Sequence, residues 1–130
     1  MIKIKYTLLL LLFLTACSNE TNQVMYPEND LPELEQVLNS KEAVYGYRSV
    51  MNKDDVLVSI DIRRMHQFSE NKIAKNIEKE LEEKFPDKKF LVSNDLKLKW
   101  EIEKIMKQNL KNDELTKSVD EIKSLLKEET

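Results

Sequence analysis

The residue with the clearest chemistry in this sequence is Cys17, the only cysteine of the chain. It follows two lysines, an apolar run from Leu8 to Leu14, and a small-residue ending, LTAC. A basic start, a short apolar core and small residues before a cleavage point are typical of a secretory signal. The apolar run is shorter than the ~20 residues that a helix needs to cross a bilayer. The sequence therefore predicts a signal peptide over residues 1–16, cut in front of Cys17.

The LTAC ending resembles the lipobox of bacterial lipoproteins. In that class of protein, the cysteine sulfur receives a diacylglyceryl group and cleavage makes the cysteine the new N-terminus. The resemblance implies that Cys17 is lipidated and that the mature chain is held by its acyl chains on the extracytoplasmic face of the cell membrane. Two other interpretations stay open: an ordinary signal peptide that ends in a cysteine by chance, and a buried free cysteine.

The composition narrows the functions that remain. Removal of residues 1–16 takes Lys3 and Lys5 with it, so the formal charge of −3 becomes −5. An acidic chain lacks the basic face that nucleic-acid binding requires. One glycine is too few for the glycine-rich loops that hold phosphates. With its cysteine assigned to lipid, the chain must depend on an apolar core instead of a disulfide. We predict one small domain without a nucleic-acid partner.

The titratable residues do not form a pattern typical of an active site. His66, the single histidine, is not accompanied by a serine motif or a second histidine, and we expect a solvated position for it. Four carboxylates alternate with lysines along one predicted helix: Glu78, Glu80, Glu82 and Glu83. This alternation favours a solvated face with i,i+4 pairs over a catalytic pair. We therefore predict that the protein is not an enzyme and has no catalytic, metal or cofactor site.

The periodic segments predict an α+β domain over residues 31–110, followed by a C-terminal amphipathic helix over residues 111–130. Residues 17–30 are polar beyond the cysteine and are predicted to be a flexible tether. The first helix is predicted to begin at an Asp30 N-cap and to end at Ser40. The other elements are predicted in the order strand, strand, helix, strand, helix, helix, over residues 42–51, 55–63, 70–85, 89–93, 95–109 and 113–128.

The second strand shows the clearest alternation, with four apolar residues on one face: Val56, Val58, Ile60 and Ile62. Ser59, Asp61 and Arg63 fall on the other face, which is typical of a strand with one side in water. The economical arrangement is a three-stranded sheet with helices on one face. The order helix, strand, strand, helix, strand, helix is similar to that of BON-type domains, which are associated with membranes.

The helix predicted over residues 95–109 carries two apolar patches. One patch is a stripe formed by Leu98, Ile102 and Ile105. Leu96 and Trp100 point away from that stripe, because residues advance by about 100° along a helix. Two interpretations follow for Leu96 and Trp100. Either the last helix covers them, or they contact a partner protein or lipid headgroups, roles in which tryptophan is enriched.

Two tyrosines share one face of the first predicted strand. Tyr45 and Tyr47 are compatible with either the core or the surface. Gly46, between them, indicates a bulge or a close backbone approach.

Three further segments carry a resemblance to a family: VLVSIDI (56–62), KFPDKKF (84–90) and LVSND (91–95). Together with the lipobox, they resemble the sporulation lipoproteins of the YhcN/YlaJ type, which occur in endospore-forming bacteria. The similarity covers residues 43–108. One departure is the turn MNKD (51–54), where the family often has a glycine.

The resemblance implies a non-enzymatic lipoprotein with a βαβ-containing domain and a final amphipathic helix. Its expected role is in sporulation, spore germination or outgrowth, in the cell membrane or the forespore or spore membrane. The alternative is an accessory subunit or a small-ligand-binding lipoprotein of a cell-envelope complex. In either case the partners are membrane lipid, through the acyl anchor, and a membrane or envelope protein.

Overall fold

A computed structural model describes residues 23–27 and 31–128, and over these ranges the chain has an α+β fold, as predicted. The signal peptide and Cys17 lie outside the described residues. The prediction of an Asp30 N-cap is wrong, because the first helix begins at Pro32 and Leu31 is its N-cap residue. The elements in chain order are β1 (Gln23–Tyr26), α1 (Pro32–Asn39), β2 (Val44–Asn52), β3 (Asp55–Ile62), a 3₁₀ helix (Arg64–Ser69), α2 (Glu70–Lys84), β4 (Lys89–Ser93), α3 (Leu96–Gln108) and α4 (Asn112–Glu128).

The sheet has the strand order β1-β2-β3-β4 over the part of the chain that the structure describes. β2 and β3 form the predicted antiparallel hairpin, and β4 lies parallel to β3. The prediction of three strands is wrong, because Gln23–Tyr26 lies parallel to β2 inside the segment predicted to be a tether. Four residues are too few to show a period in the sequence, so this strand is recognisable only from its partner. β1 covers the edge of β2 that would otherwise present unpaired backbone groups.

Helices cover both faces of the sheet, so the prediction of helices on one face is also wrong. α1 and α2 pack on the first face, around the predicted apolar side of β3. α3 and α4 pack on the second face, where Val50 and Leu57 join their apolar stripes. Ser59, expected in water, is only 2% exposed. The serine tolerates this position because its side chain is small, and Leu57 supplies the apolar surface that attracts the second helical layer.

α3 begins one residue later than predicted, because Asp95 caps the helix and does not belong to its first turn. The carboxylate of Asp95 accepts a hydrogen bond from the Lys97 N–H at 3.0 Å, and the Asp95 N–H donates to Ser93 Oγ at 3.0 Å. Asp95 is therefore the N-cap residue of α3. This cap fixes where α3 leaves the end of β4, which decides the position of Trp100 in the site below.

Burial of Tyr47 predicts a loss of stability in alkali. Burial raises the pKa of Tyr47 to about 12, and the nearby Glu35 adds to the effect. The unfolded chain has the ordinary pKa near 10, so the folded state holds the proton more tightly. The stabilisation is complete below pH 10 and is lost as the pH rises towards 12, by about 2 to 3 kcal/mol in total.

The corresponding measurement is urea unfolding at a series of pH values from 8 to 11.5. Tyr47→Phe removes the ionisable hydroxyl, so its free energy of unfolding is expected to fall less steeply above pH 10 than that of the wild type. Tyr45→Phe is the control, because Tyr45 is exposed. Equal slopes for Tyr47→Phe and the wild type would contradict the assignment.

Candidate functional site

Large apolar side chains are exposed at one end of the sheet. Their exposed fractions are 48% for Tyr45, 87% for Met65, 105% for Phe68, 57% for Leu96 and 61% for Trp100. Over residues 23–27 and 31–128, these are five of the six large apolar side chains that are exposed. Single exposed apolar residues are common, but a group of them marks an interaction surface. We name these five residues the apolar end.

The register of the strands brings these residues to the same end. Val44 at the start of β2 pairs with Ile62 at the end of β3. Ser93, the last residue of β4, pairs with Ser59 of β3. The 3₁₀ helix that follows β3 and the first turns of α3 therefore leave the sheet at the same end of the strands. The apolar end is thus assembled from three separate parts of the chain.

An alternating set of four charges holds α3 against the sheet with Trp100 facing outward. Arg48 Nε lies 3.0 Å from Glu103 Oε1, and Lys99 Nζ lies 3.2 Å from Asp61 Oδ1. Arg48 Nη1 also lies 3.7 Å from Asp61 Oδ2. Because Lys99 and Glu103 both turn towards the sheet, the helix cannot rotate without breaking these pairs. Leu98, on the adjoining face of α3, is buried.

The last helix does not cover Leu96 and Trp100, so that interpretation is wrong. α4 packs instead on the opposite stripe of α3, and the buried residues of this contact include Ile102, Val119 and Ile122. α4 has one apolar stripe, which is used by this contact and by the second face of the sheet. Leu96 and Trp100 are left exposed, and their contact with a partner or lipid stays a prediction.

A bulge between Val44 and Gly46 separates the two tyrosines of β2, and Tyr45 is its unpaired residue. The pairing with β3 shifts between Val44 and Gly46, which confirms the bulge that the glycine indicated. Tyr47 becomes buried at 1% exposure, whereas Tyr45 is exposed. The prediction that both share one face is therefore wrong, since the extra residue in β2 breaks the two-residue period. The bulge is what delivers Tyr45 to the apolar end.

Met65 and Phe68, the two most exposed members of the apolar end, were not predicted from the sequence. Both lie in the 3₁₀ helix, which contains no buried residue. Residues three apart share a face in such a helix, so Met65 and Phe68 point to the same side. Arg63 and Arg64 precede them and are also exposed. The feature of the sequence that indicates this surface is the mixture of basic and apolar residues in RRMHQF, residues 63–68.

Two titratable residues considered in the sequence, His66 and Glu78, are both partly buried. His66 is half-buried in the 3₁₀ helix. Burial raises the pKa of the Glu78 carboxyl, Glu82 raises it further and Lys75 lowers it, so this part of the α2 face is less solvated than predicted. No group of three or more His, Cys, Asp or Glu side chains within the described ranges is arranged to hold a metal ion.

A groove of about 920 Å³ lies at the opposite end of the sheet, beside β1 and the loop between α3 and α4. Several of its polar groups bond to each other. Tyr26 Oη donates to the Leu110 carbonyl at 2.6 Å, and Asn52 Nδ2 donates to Thr116 Oγ1 at 3.2 Å. These bonds hold the loop and α4 to the sheet, so the polar groups of the groove have a structural role.

Comparison with known proteins adds no relative to this description. No protein-family model, no curated protein and no solved structure matches the chain. Among the helices that the structure describes, none has the length and apolar character needed to cross a membrane.

Proposed function

We propose that this protein is a membrane-anchored lipoprotein and that its α+β domain is a non-enzymatic binding or structural module on the extracytoplasmic face. The observation that carries the proposal is the LTAC sequence ending at Cys17, after a basic start and a short apolar run. The site geometry is consistent with a binding role, because the apolar end is a surface of the kind that another surface covers. Two or more acyl chains on one protein suffice for stable anchoring.

We further propose a role in sporulation, spore germination or outgrowth. The resemblance of VLVSIDI, KFPDKKF and LVSND to the YhcN/YlaJ type of lipoprotein supports this role. These segments correspond to most of β3, the end of α2 with the start of β4, and the β4–α3 junction. They therefore include most of the central strand β3 and all of its parallel neighbour β4. The anchor would hold the domain at the cell membrane, or at the forespore or spore membrane.

The likeness to BON-type domains enters only as topology. The succession α1, β2, β3, α2, β4 has the order that resembles those domains, and β1, α3 and α4 are additions to it. Topology alone does not assign a function.

The experiment that tests the proposed function follows a tagged copy through growth and sporulation. We expect the protein in the membrane fraction, with Cys17 as its N-terminal residue and a mass increased by the acyl chains. We also expect its amount to rise during sporulation. A free Cys17 thiol in the membrane-bound protein would contradict lipidation. Expression confined to vegetative growth would contradict the sporulation role and leave the anchor intact.

A second candidate is an accessory subunit of a cell-envelope complex. The exposed Trp100 and Phe68 favour it, because aromatic residues are common anchors of protein interfaces. A membrane protein that co-purifies with the wild type and is lost with Trp100→Ala would support this candidate. A small-ligand-binding role would use the groove beside β1, whose polar groups are already bonded to one another.

A further inference from the structure

We infer that the apolar end docks on the bilayer surface, so that the domain stands on the membrane with Met65, Phe68, Leu96 and Trp100 in the interfacial region. This inference rests on the proposed lipid anchor at Cys17. It adds an orientation and a second membrane contact, made by the folded domain itself. Three features of the molecule support it: the place where the chain from Cys17 enters the sheet, the surface that lies there, and the residues at the other end.

The chain from Cys17 enters the sheet at the side of the apolar end. β1 lies parallel to β2, and its first residue, Gln23, pairs with Tyr47. β1 and β2 both run away from the apolar end, so the segment before Gln23 comes from that end. Six residue steps separate Cys17 from Gln23, which limits their distance to about 22 Å. Asn52, at the opposite end of β2, lies about 17 Å beyond Tyr47 along the strand. If that opposite end contacted the bilayer, it would use most of the ~22 Å that the segment from Cys17 to Gln23 can span.

The surface at this end has the chemistry of an interfacial site. Met65 and Phe68 project from one face of the 3₁₀ helix, and the exposed Arg63 and Arg64 precede them. Apolar tips beside basic residues are typical of segments that lie in the headgroup region of a bilayer. Trp100 adds an indole, which is enriched at the same depth. A hydrogen bond from Arg63 Nε to the Glu42 carbonyl at 2.8 Å fixes the start of this helix to the turn before β2.

The opposite end of the sheet carries none of the exposed large apolar side chains of the described ranges. The sixth of these, Leu125, lines a groove with Glu101 and Lys104 of α3 and therefore lies beside the helix that carries Trp100. The exposed Asp54 lies in the turn between β2 and β3, directly before Asp55, the first residue of β3. The apolar end adjoins Ile62, the last residue of β3, so the two positions are separated by about 23 Å along the strand. Asp54 is therefore the control position: an exposed residue at the end that we expect to face away from the bilayer.

The test uses the single tryptophan of the chain as a depth probe. The full chain is produced in a lipoprotein-processing bacterium and reconstituted in phosphatidylcholine–phosphatidylglycerol vesicles with brominated acyl chains, which quench nearby indoles. Three single-tryptophan proteins are compared: the wild type, Phe68→Trp with Trp100→Phe, and Asp54→Trp with Trp100→Phe. We expect emission to fall at least twofold for the probes at 100 and 68, and by less than a fifth for the probe at 54.

The outcomes separate this inference from the proposed function. Equal quenching at all three positions, or none at 100 and 68 in a protein that floats with the vesicles and carries acylated Cys17, overturns the docking and leaves the anchor. The absence of quenching at 100 and 68 is also the result expected if the apolar end binds a protein partner instead of the bilayer. A chain without acyl groups at Cys17 overturns the proposed function, and the docking falls with it.

Discussion

Leu57→Asp is expected to unfold the domain, although Leu57 lies on the face of β3 that the sequence pattern predicted to be in water. Leu57 is 1% exposed, between the sheet and the helices α3 and α4. Truncation of a buried leucine costs about 2–5 kcal/mol, and a buried carboxylate without a partner adds a desolvation penalty to it. The sum is comparable with the ~5–15 kcal/mol by which small domains are stable. Far-ultraviolet circular dichroism and urea unfolding of the variant would measure the loss.

Leu96→Asp is the matched control for this prediction. The substitution is the same, but Leu96 is 57% exposed at the first position of α3. We expect a change within about 0.5 kcal/mol, as for most surface substitutions, and an acidic residue in the first turn of a helix is favourable. If Leu57→Asp were as stable as Leu96→Asp, the second face of the sheet would be in water and the two-layer packing would be incorrect.

This pair of substitutions also shows what the sequence could and could not predict about the fold. The alternation in β3 predicted one apolar face correctly, and the hairpin followed from it. The second layer was missed because the face of Ser59 and Asp61 appears polar. Asp61 is in fact satisfied there by Lys99 and Arg48, and Ser59 is small enough to be covered. A polar face can be buried when the helix above it supplies the opposite charges, and that pairing is visible only in three dimensions.

The candidate site was predictable to a similar degree. Leu96 and Trp100 were identified from the helical period, since they oppose the buried stripe of α3. Met65 and Phe68 were not, because a six-residue 3₁₀ helix gives no apolar period against which an exposed residue stands out. The grouping of all four depends on strand register, and in particular on the parallel pairing of β3 with β4. Residue types therefore indicate which side chains are unusual, and topology decides which of them act together.

Cys17→Ala is expected to abolish acylation completely, because no other residue of the chain carries a thiol. Without lipid transfer, we expect cleavage to fail as well, so residues 1–16 stay attached and the mass matches the unprocessed precursor. The measurement is incorporation of labelled fatty acid, followed by the mass of the N-terminal peptide. Ser18→Ala is the control, because it removes a neighbouring hydroxyl and leaves the thiol; it should be labelled as strongly as the wild type.

Cys17→Ala and Phe68→Ser together show how much each of the two membrane contacts, the acyl anchor and the apolar end, contributes to binding. Each buried methylene of an acyl chain contributes about 0.8 kcal/mol, and two or more chains give stable anchoring. We therefore expect the anchor to supply most of the affinity for the membrane and the apolar end to set the orientation of the domain. A lipidated protein with Phe68→Ser should therefore stay on vesicles and lose quenching of Trp100. Labelled fatty acid in Cys17→Ala would contradict the anchor. Release of Phe68→Ser from the vesicles while Cys17 is acylated would instead show that the domain, and not the lipid, supplies most of the binding.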